Sequence, residues 1–444
     1  MGHPALAPRS GAARRQATLW LALATCSVAV SGLFAILIAL ARVPAIGALF
    51  PGPEFYRVAL TLHVNLSQGV WFMAFAGVLW SLASPRAPGA VDRLAWLAAA
   101  GGAIGLALSV SVGRPQPLMS NYLPVLDSPV FLTALCLFGL GVALKALAGA
   151  AGPRRFRIGE VADVQRLALR LAAVEILAVI GLLLAAGQAI DGRLEGHAYF
   201  ETLFWGGGHV WQFALVSLLM ACWLELAPGA ACRIPARRLA AVVALGASPV
   251  LAAMVIPWFR APDSGAYADA YTWLMQWTSW EAPLALGLAL FLGGRGRGAA
   301  PGFGLSLLLF VAGLFLGSAI TGQTTLVTAH YHGTIGAVTL AFMAAAFAVL
   351  PRLGIEPPSP RAIRLQLGFY GYGVLLMMAG LAGAGLMGAP RKTPGDLALT
   401  WSVETVSRIC LGIGGLLATI GILMFAVLLL KRLFPIPAVA VYSR

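Results

Sequence analysis

TLVTAHYHGTIGAVTLAFMAAAFAVL, residues 325–350, contains no Asp, Glu, Lys or Arg. At about 1.5 Å per helical residue, such a run spans a bilayer hydrocarbon core of about 30 Å. Similar runs lie at roughly 18–41, 58–82, 93–113, 128–149, 166–190, 199–226, 237–258, 267–293, 302–321, 363–388 and 402–430. No soluble domain or linker of useful size separates them. The expected fold is an all-α integral membrane bundle of about twelve transmembrane helices, one membrane domain over 1–444 with its spans within roughly 18–430.

Composition agrees. The 444 residues are 60% apolar and 10% charged, with a mean hydropathy of +0.86. A soluble protein cannot hide that much apolar surface. The formal net charge of +14 does not indicate a nucleic-acid partner, because the basic residues sit in short loops between apolar runs rather than on one face. The five cysteines are scattered, with no C-x-x-C for zinc or redox chemistry and no C-x-x-C-H for covalent haem. The N-terminal segment is basic, then apolar from about Thr18. No convincing small-residue cleavage site follows, so a retained first helix is expected.

The loops predict orientation. When the odd-numbered polar segments are taken together, roughly 21 Lys/Arg lie on one side of the membrane and roughly 7 on the other. Both termini are therefore expected in the cytoplasm, and Trp258, Tyr267, Tyr199 and Trp401 suit interfacial anchors.

Four of the six histidines, His63, His209, His330 and His332, lie inside spans and, on that orientation, in the outer half of the membrane. A buried polar residue needs a partner, and neutral imidazole is the usual protein ligand for haem iron and copper. Residues two apart on a helix point about 200° apart, so His330 and His332 suit two different groups. That spacing suggests a scheme. His332 with His63 would be the two axial ligands of one haem. His330 would hold a second haem from one side, leaving its far face open to a small molecule, and His209 would stand across that face. A transporter with histidine packing is a third possibility, but it leaves the common depth of the histidines unexplained.

These segments resemble subunit I of the haem–copper oxidase superfamily. AHYHGTIGAVTLAFMAAAFAVLPRLG (329–354) is similar to that family's tenth helix. LHVN (62–65) resembles the low-spin haem histidine of the second helix, in the form seen in nitric oxide reductases and C-type oxidases. WGGGHVWQF (205–213) resembles the sixth helix, whose histidine binds the distal metal. APRKTPGD (389–396) resembles the stretch that holds haem propionates, which implicates Arg391 and Lys392 on the same side as the histidines. YTWLMQWTSWEAPLAL (271–286) looks most like the nitric oxide reductase segment with a buried catalytic glutamate, here Glu281; a helix-packing role for Glu281 stays open.

The resemblance implies two haems, one low-spin and bis-His, the other high-spin and five-coordinate. It also implies O2 or NO as substrate, a periplasmic electron donor such as a cytochrome c or cupredoxin subunit, and a multi-pass protein of a bacterial-type inner membrane. There are departures. MVIPWFRAP (254–262) lacks the family's adjacent histidine pair at the end of the seventh helix, and Phe213 stands where oxidases carry a tyrosine. A distal copper or non-haem iron, which needs three or four protein ligands, is thus expected to be degraded, or completed in another way by Glu201, Glu281 or His197. Glu175, Glu225 and Glu281 are the carboxylates inside spans, and they trace no clear proton route to the cytoplasm. Glu404 and Arg408 are spaced to pair. Thr321, Gln323, Thr324, Thr325 and Thr328 either line a polar path or cap a helix. Two functions are expected, in order: a respiratory oxidoreductase subunit, and a non-catalytic haem protein (gas sensor or electron-transfer subunit) that has lost the distal metal.

Overall fold

The computed structural model describes residues 6–41, 52–113, 115–151, 157–294, 299–391 and 403–435. Its main helices are α1 (Gly11–Ala41), α2 (Glu54–Ala83), α3 (Ala90–Ser111), α4 (Pro129–Ala150), α5 (Val161–Ala189), α6 (Gly196–Leu226) and α7 (Ala236–Trp258). They continue with α8 (Gly265–Thr278), α9 (Glu281–Gly294), α10 (Phe303–Ser318), α11 (Thr325–Leu353), α12 (Pro360–Leu386) and α13 (Val403–Leu433). A two-stranded antiparallel hairpin, β1 (Gln116–Leu118) with β2 (Val125–Asp127), sits between α3 and α4.

The all-α membrane bundle expected from hydropathy is what forms: among the described residues ten helices, α1–α7 and α11–α13, are long and apolar enough to cross a membrane. The ninth apolar run is α10, a 16-residue helix. The eighth is divided at Ser279–Trp280 into α8 and α9, each of 14 residues. Pro283 explains the break. Its ring would clash with the carbonyl four residues back, at Ser279, and it has no N–H to donate there. Other helix starts follow local chemistry: Asp163 accepts from the Gly159 and Glu160 amides ahead of α5, and the Ser359 hydroxyl accepts from Ala362 N at the start of α12. Thr324 caps α11 in the same way, accepting from Leu326 N, and Thr325 bonds to the Leu381 carbonyl.

Sequence neighbours pack side by side, α3 on α4, α5 on α6, α10 on α11 and α11 on α12, and α13 returns to pack on both α12 and α1. Inside this wall lie α2, α6 and α11. Of their apolar windows 78%, 78% and 83% is buried, against at most 50% for any other span. The outer helices instead turn residues such as Leu251 and Phe315 outward at 75% and 74% exposure, as a lipid-facing surface requires.

Several charged groups inside the bundle are paired. Lys145 on α4 bonds Asp92 on α3 at 2.8 Å, and the Gln16 amide on α1 donates to the Asp92 carbonyl. Arg352 pairs with Glu225 and donates to the Leu6 carbonyl, and Arg408 pairs with Glu404 at 2.8 Å. Lys145 is 3% exposed, so Lys145→Met leaves the Asp92 charge uncompensated. That should destabilise the bundle by about 3 kcal/mol, seen as a lower thermal unfolding midpoint, and a second change, Asp92→Asn, should recover most of the loss.

Candidate functional site

The four span histidines fall on α2, α6 and α11, the three central helices. Each has its Nδ1 against a main-chain carbonyl. His63 reaches Ser31 O on α1 at 3.0 Å, and His209 reaches Trp205 O at 2.7 Å. His330 reaches Gly313 O on α10 at 2.8 Å, and His332 reaches Thr328 O at 2.8 Å. A carbonyl can only accept, so each Nδ1 carries the proton and each Nε2 the lone pair. This is the tautomer in which a histidine coordinates through Nε2 while a second group fixes its ring.

The helix interiors divide into two zones. Residues 70–82 of α2 and 336–347 of α11 are continuously buried, filled by Trp71, Phe75, Phe342 and Phe425 in edge and tilted contacts. In the other zone His63, Ser67, Gln68, His330, His332 and Thr334 keep partial accessibility although their helices are the most enclosed in the molecule. His63 is the second-last residue of the regular first part of α2, which ends at Val64, and a π-helical segment, Asn65–Trp71, follows. Such a widened turn needs support, which comes from Ser27 bonding the Leu66 carbonyl and Ser67 bonding the His63 carbonyl.

His209 differs from the other three. It is 3% exposed, and its ring lies 4.9 Å from Tyr122, 5.0 Å from Trp205 and 6.3 Å from Tyr271, centroid to centroid. Thr272 Oγ1 on α8 is 3.4 Å from its Nε2. The three glycines before it make these contacts possible. A Cβ at Gly206 would strike Tyr267, one at Gly207 would strike Leu183, and one at Gly208 would enter the Tyr122 ring.

Tyr122, which no sequence motif marks, comes from the loop carrying the β1–β2 hairpin. That loop lies across the histidine end of the bundle. Asn65 on α2 donates to Pro124 O at 2.7 Å, Asn121 donates to Glu201 on α6 through its main-chain and side-chain nitrogens, and Arg391 donates to Asn121 Oδ1 at 2.6 Å. Burial raises the Tyr122 phenol far above its ordinary range; Glu201 adds to the rise and Arg391 opposes it. Tyr122 therefore stays neutral across the physiological range.

Arg391 thus lies at the same end as the histidines, and its amide donates to Gln323 O just before α11. Lys392 lies outside the described residues. Glu281 is located differently from the expectation of a residue deep in a continuous eighth span. The break caused by Pro283 makes it the first residue of α9, with an exposed side chain. The residues of this eighth run that meet His209 are Tyr271 and Thr272 on α8. Glu201 holds Asn121 and lies 4.0 Å from His197. Among the described residues no three or more His, Cys, Asp or Glu side chains are grouped so as to hold a metal ion.

A many-helix membrane bundle with four like-tautomer imidazoles on its three inner helices is the class of protein defined so far. The chain belongs to the family "Cytochrome C and Quinol oxidase polypeptide I", the haem–copper oxidase subunit I type, matched over residues 15–417. It is also similar to an uncharacterized protein of Aquifex aeolicus (strain VF5), 30% identical over 349 residues, covering 76% of this chain and 85% of that one. A second similar chain is an uncharacterized protein of Rickettsia prowazekii (strain Madrid E), 23% identical over 495 residues and covering 94% and 96% respectively.

Gly208→Ala should push Tyr122 off His209 and lower stability by about 1–3 kcal/mol, the usual cost of overpacking. Gly229→Ala, where a Cβ meets nothing within 4 Å, should not lower the melting midpoint.

Proposed function

We propose that this single membrane domain is a haem-binding respiratory oxidoreductase subunit of a bacterial inner membrane, with both termini cytoplasmic. It would take electrons from a periplasmic donor of cytochrome c or cupredoxin type and deliver them to a site that binds O2 or NO. Bound haems would supply one-electron transfer and an iron site for the gas. His63 and His332 would hold one haem, and His330 the second. Arg391, with Lys392 beside it in sequence, would neutralise propionates at the outer end. The observation that carries this reading is the shared tautomer: four imidazoles, each with Nδ1 on a carbonyl, on the three inner helices. The partly accessible zone around His63, His330 and His332 supports it, because a planar macrocycle needs space that the solidly filled inner zone lacks.

The donor set around His209 does not suit a distal copper or iron. Such ions want three or four protein ligands, and here aromatic rings surround a single imidazole. This favours a second reading, a haem protein that binds a gas or relays electrons without a distal metal. In both readings His209 with Tyr122 and Thr272 around it would stand on the side where the gas binds and restrict water there. On the first reading, Glu281 would act from the first turn of α9.

Metal analysis of the purified protein with an absorption spectrum decides between them. Two haems plus one non-haem metal, with NO or O2 turnover, support the enzyme and require a rearranged His209 site. Two haems without that metal and without turnover support the second reading, and a haem-free preparation from a haem-replete host defeats both. His63→Ala should abolish the low-spin signal and spare the high-spin one; equal loss of both would contradict the pairing. Glu281→Gln should lower turnover only if the enzyme reading holds.

A further inference from the structure

One buried acid has no part in the site above. Glu175 is the middle residue of the 29-residue α5 and is 2% exposed. Its Oε1 accepts from the Ser217 hydroxyl on α6 at 3.2 Å, while its Oε2, equally enclosed, finds no hydrogen-bond partner among the described residues. An ionised carboxylate held like this at mid-membrane is costly, and a proton on Oε2 removes the charge.

The contacts between α5 and α6 continue from Glu175 toward the arginine-rich end of the bundle. On α6, Ser217, Ala221 and Glu225 recur every four residues and share one face. Gln165 on α5 meets that face, its amide donating to the Ala221 carbonyl at 3.0 Å and to Glu225 Oε2 at 3.3 Å. Glu225 is in turn paired with Arg352, 26% exposed at its side chain. From Ser217 to Glu225 is eight residues, about 12 Å along the helix. The other elements packed on α5 place few charges nearby. On α6 the titratable groups on this side are Cys222 and Glu225. Lys145 of α4 is tied to Asp92, Arg237 and Arg238 lie at the start of α7, and residues 72–83 of α2 contain no titratable side chain. On α5 itself Asp163, Arg166 and Arg170 lie in its first turns.

We infer that Glu175 is a proton-binding site at the centre of the membrane, filled from the arginine-rich face by way of Glu225, Gln165 and Ser217. The step is one proton from water at that face to the Glu175 carboxylate, giving the neutral acid, and its reversal returns the charge. The inference stands on Glu175 and its neighbours and does not depend on how the histidines are used.

Infrared spectroscopy of the full chain in lipid vesicles tests it. At neutral pH the protein should show a protonated-carboxyl C=O band that shifts in D2O and is missing from Glu175→Gln. Ser217→Ala should keep the band but move its frequency, since the bond to Oε1 is lost. Gln165→Leu should slow the band's exchange about tenfold, the rate cost of one lost hydrogen bond along the path. A Glu175→Gln spectrum identical to that of the unmodified protein would overturn the inference, as would a band that never exchanges or one that exchanges at an unchanged rate in Gln165→Leu. If Glu175→Gln fails to accumulate, the Ser217→Ala frequency and the Gln165→Leu rate decide the question on their own: an unmoved frequency or an unchanged rate overturns the inference.

Discussion

The bond from each histidine Nδ1 to a main-chain carbonyl is the constraint on which the centre of this molecule rests. In hydrocarbon a polar ring must find a partner within the protein. For His209 and His332 the carbonyl lies one turn back on the same helix, so the helix alone sets the ring. For His63 and His330 it lies on a neighbour, Ser31 of α1 and Gly313 of α10. The wall helices therefore do more than shield the inner three. If α10 were displaced, His330 would lose its orientation and its tautomer together.

The bundle is legible in the sequence because hydropathy over about twenty residues is a strong, local signal. The positions of the four histidines on inner helices follow from the same reasoning, since polar residues in lipid face inward. The eighth run is different. Its apolar length argues for one span and outweighs Pro283 in a hydropathy reading, yet the proline breaks it and puts Glu281 at a helix start. The threonines ahead of the histidine pair are ambiguous in sequence between a polar path and a cap. At Thr324 and Thr325 the structure resolves them into capping and a helix-to-helix bond.

The surroundings of His209 are not legible. Tyr122 and Asn121 lie about eighty residues before Glu201 in the chain, in a loop with no distinctive motif. The only trace is on the receiving side, in the consecutive Gly206, Gly207 and Gly208. Three adjacent residues without side chains inside a helix imply that bulky neighbours arrive from several directions, and here they are Tyr267, Leu183 and Tyr122. Likewise no pattern in α5 alone marks Glu175 as half-partnered. That depends on Ser217 reaching one oxygen and nothing among the described residues reaching the other.

The loop across the histidine end also has a consequence for assembly. Asn121 is held by Glu201 and, 270 positions later in the chain, by Arg391. A chain made from its N-terminus places this loop long before its last fastening exists. Until the segment after α12 has emerged, the loop is held over the histidine end by Asn65 and Glu201 without Arg391. Arg391 adds the last of these three fastenings, so the loop beside His209 is complete only when two residues 270 positions apart in the chain have met.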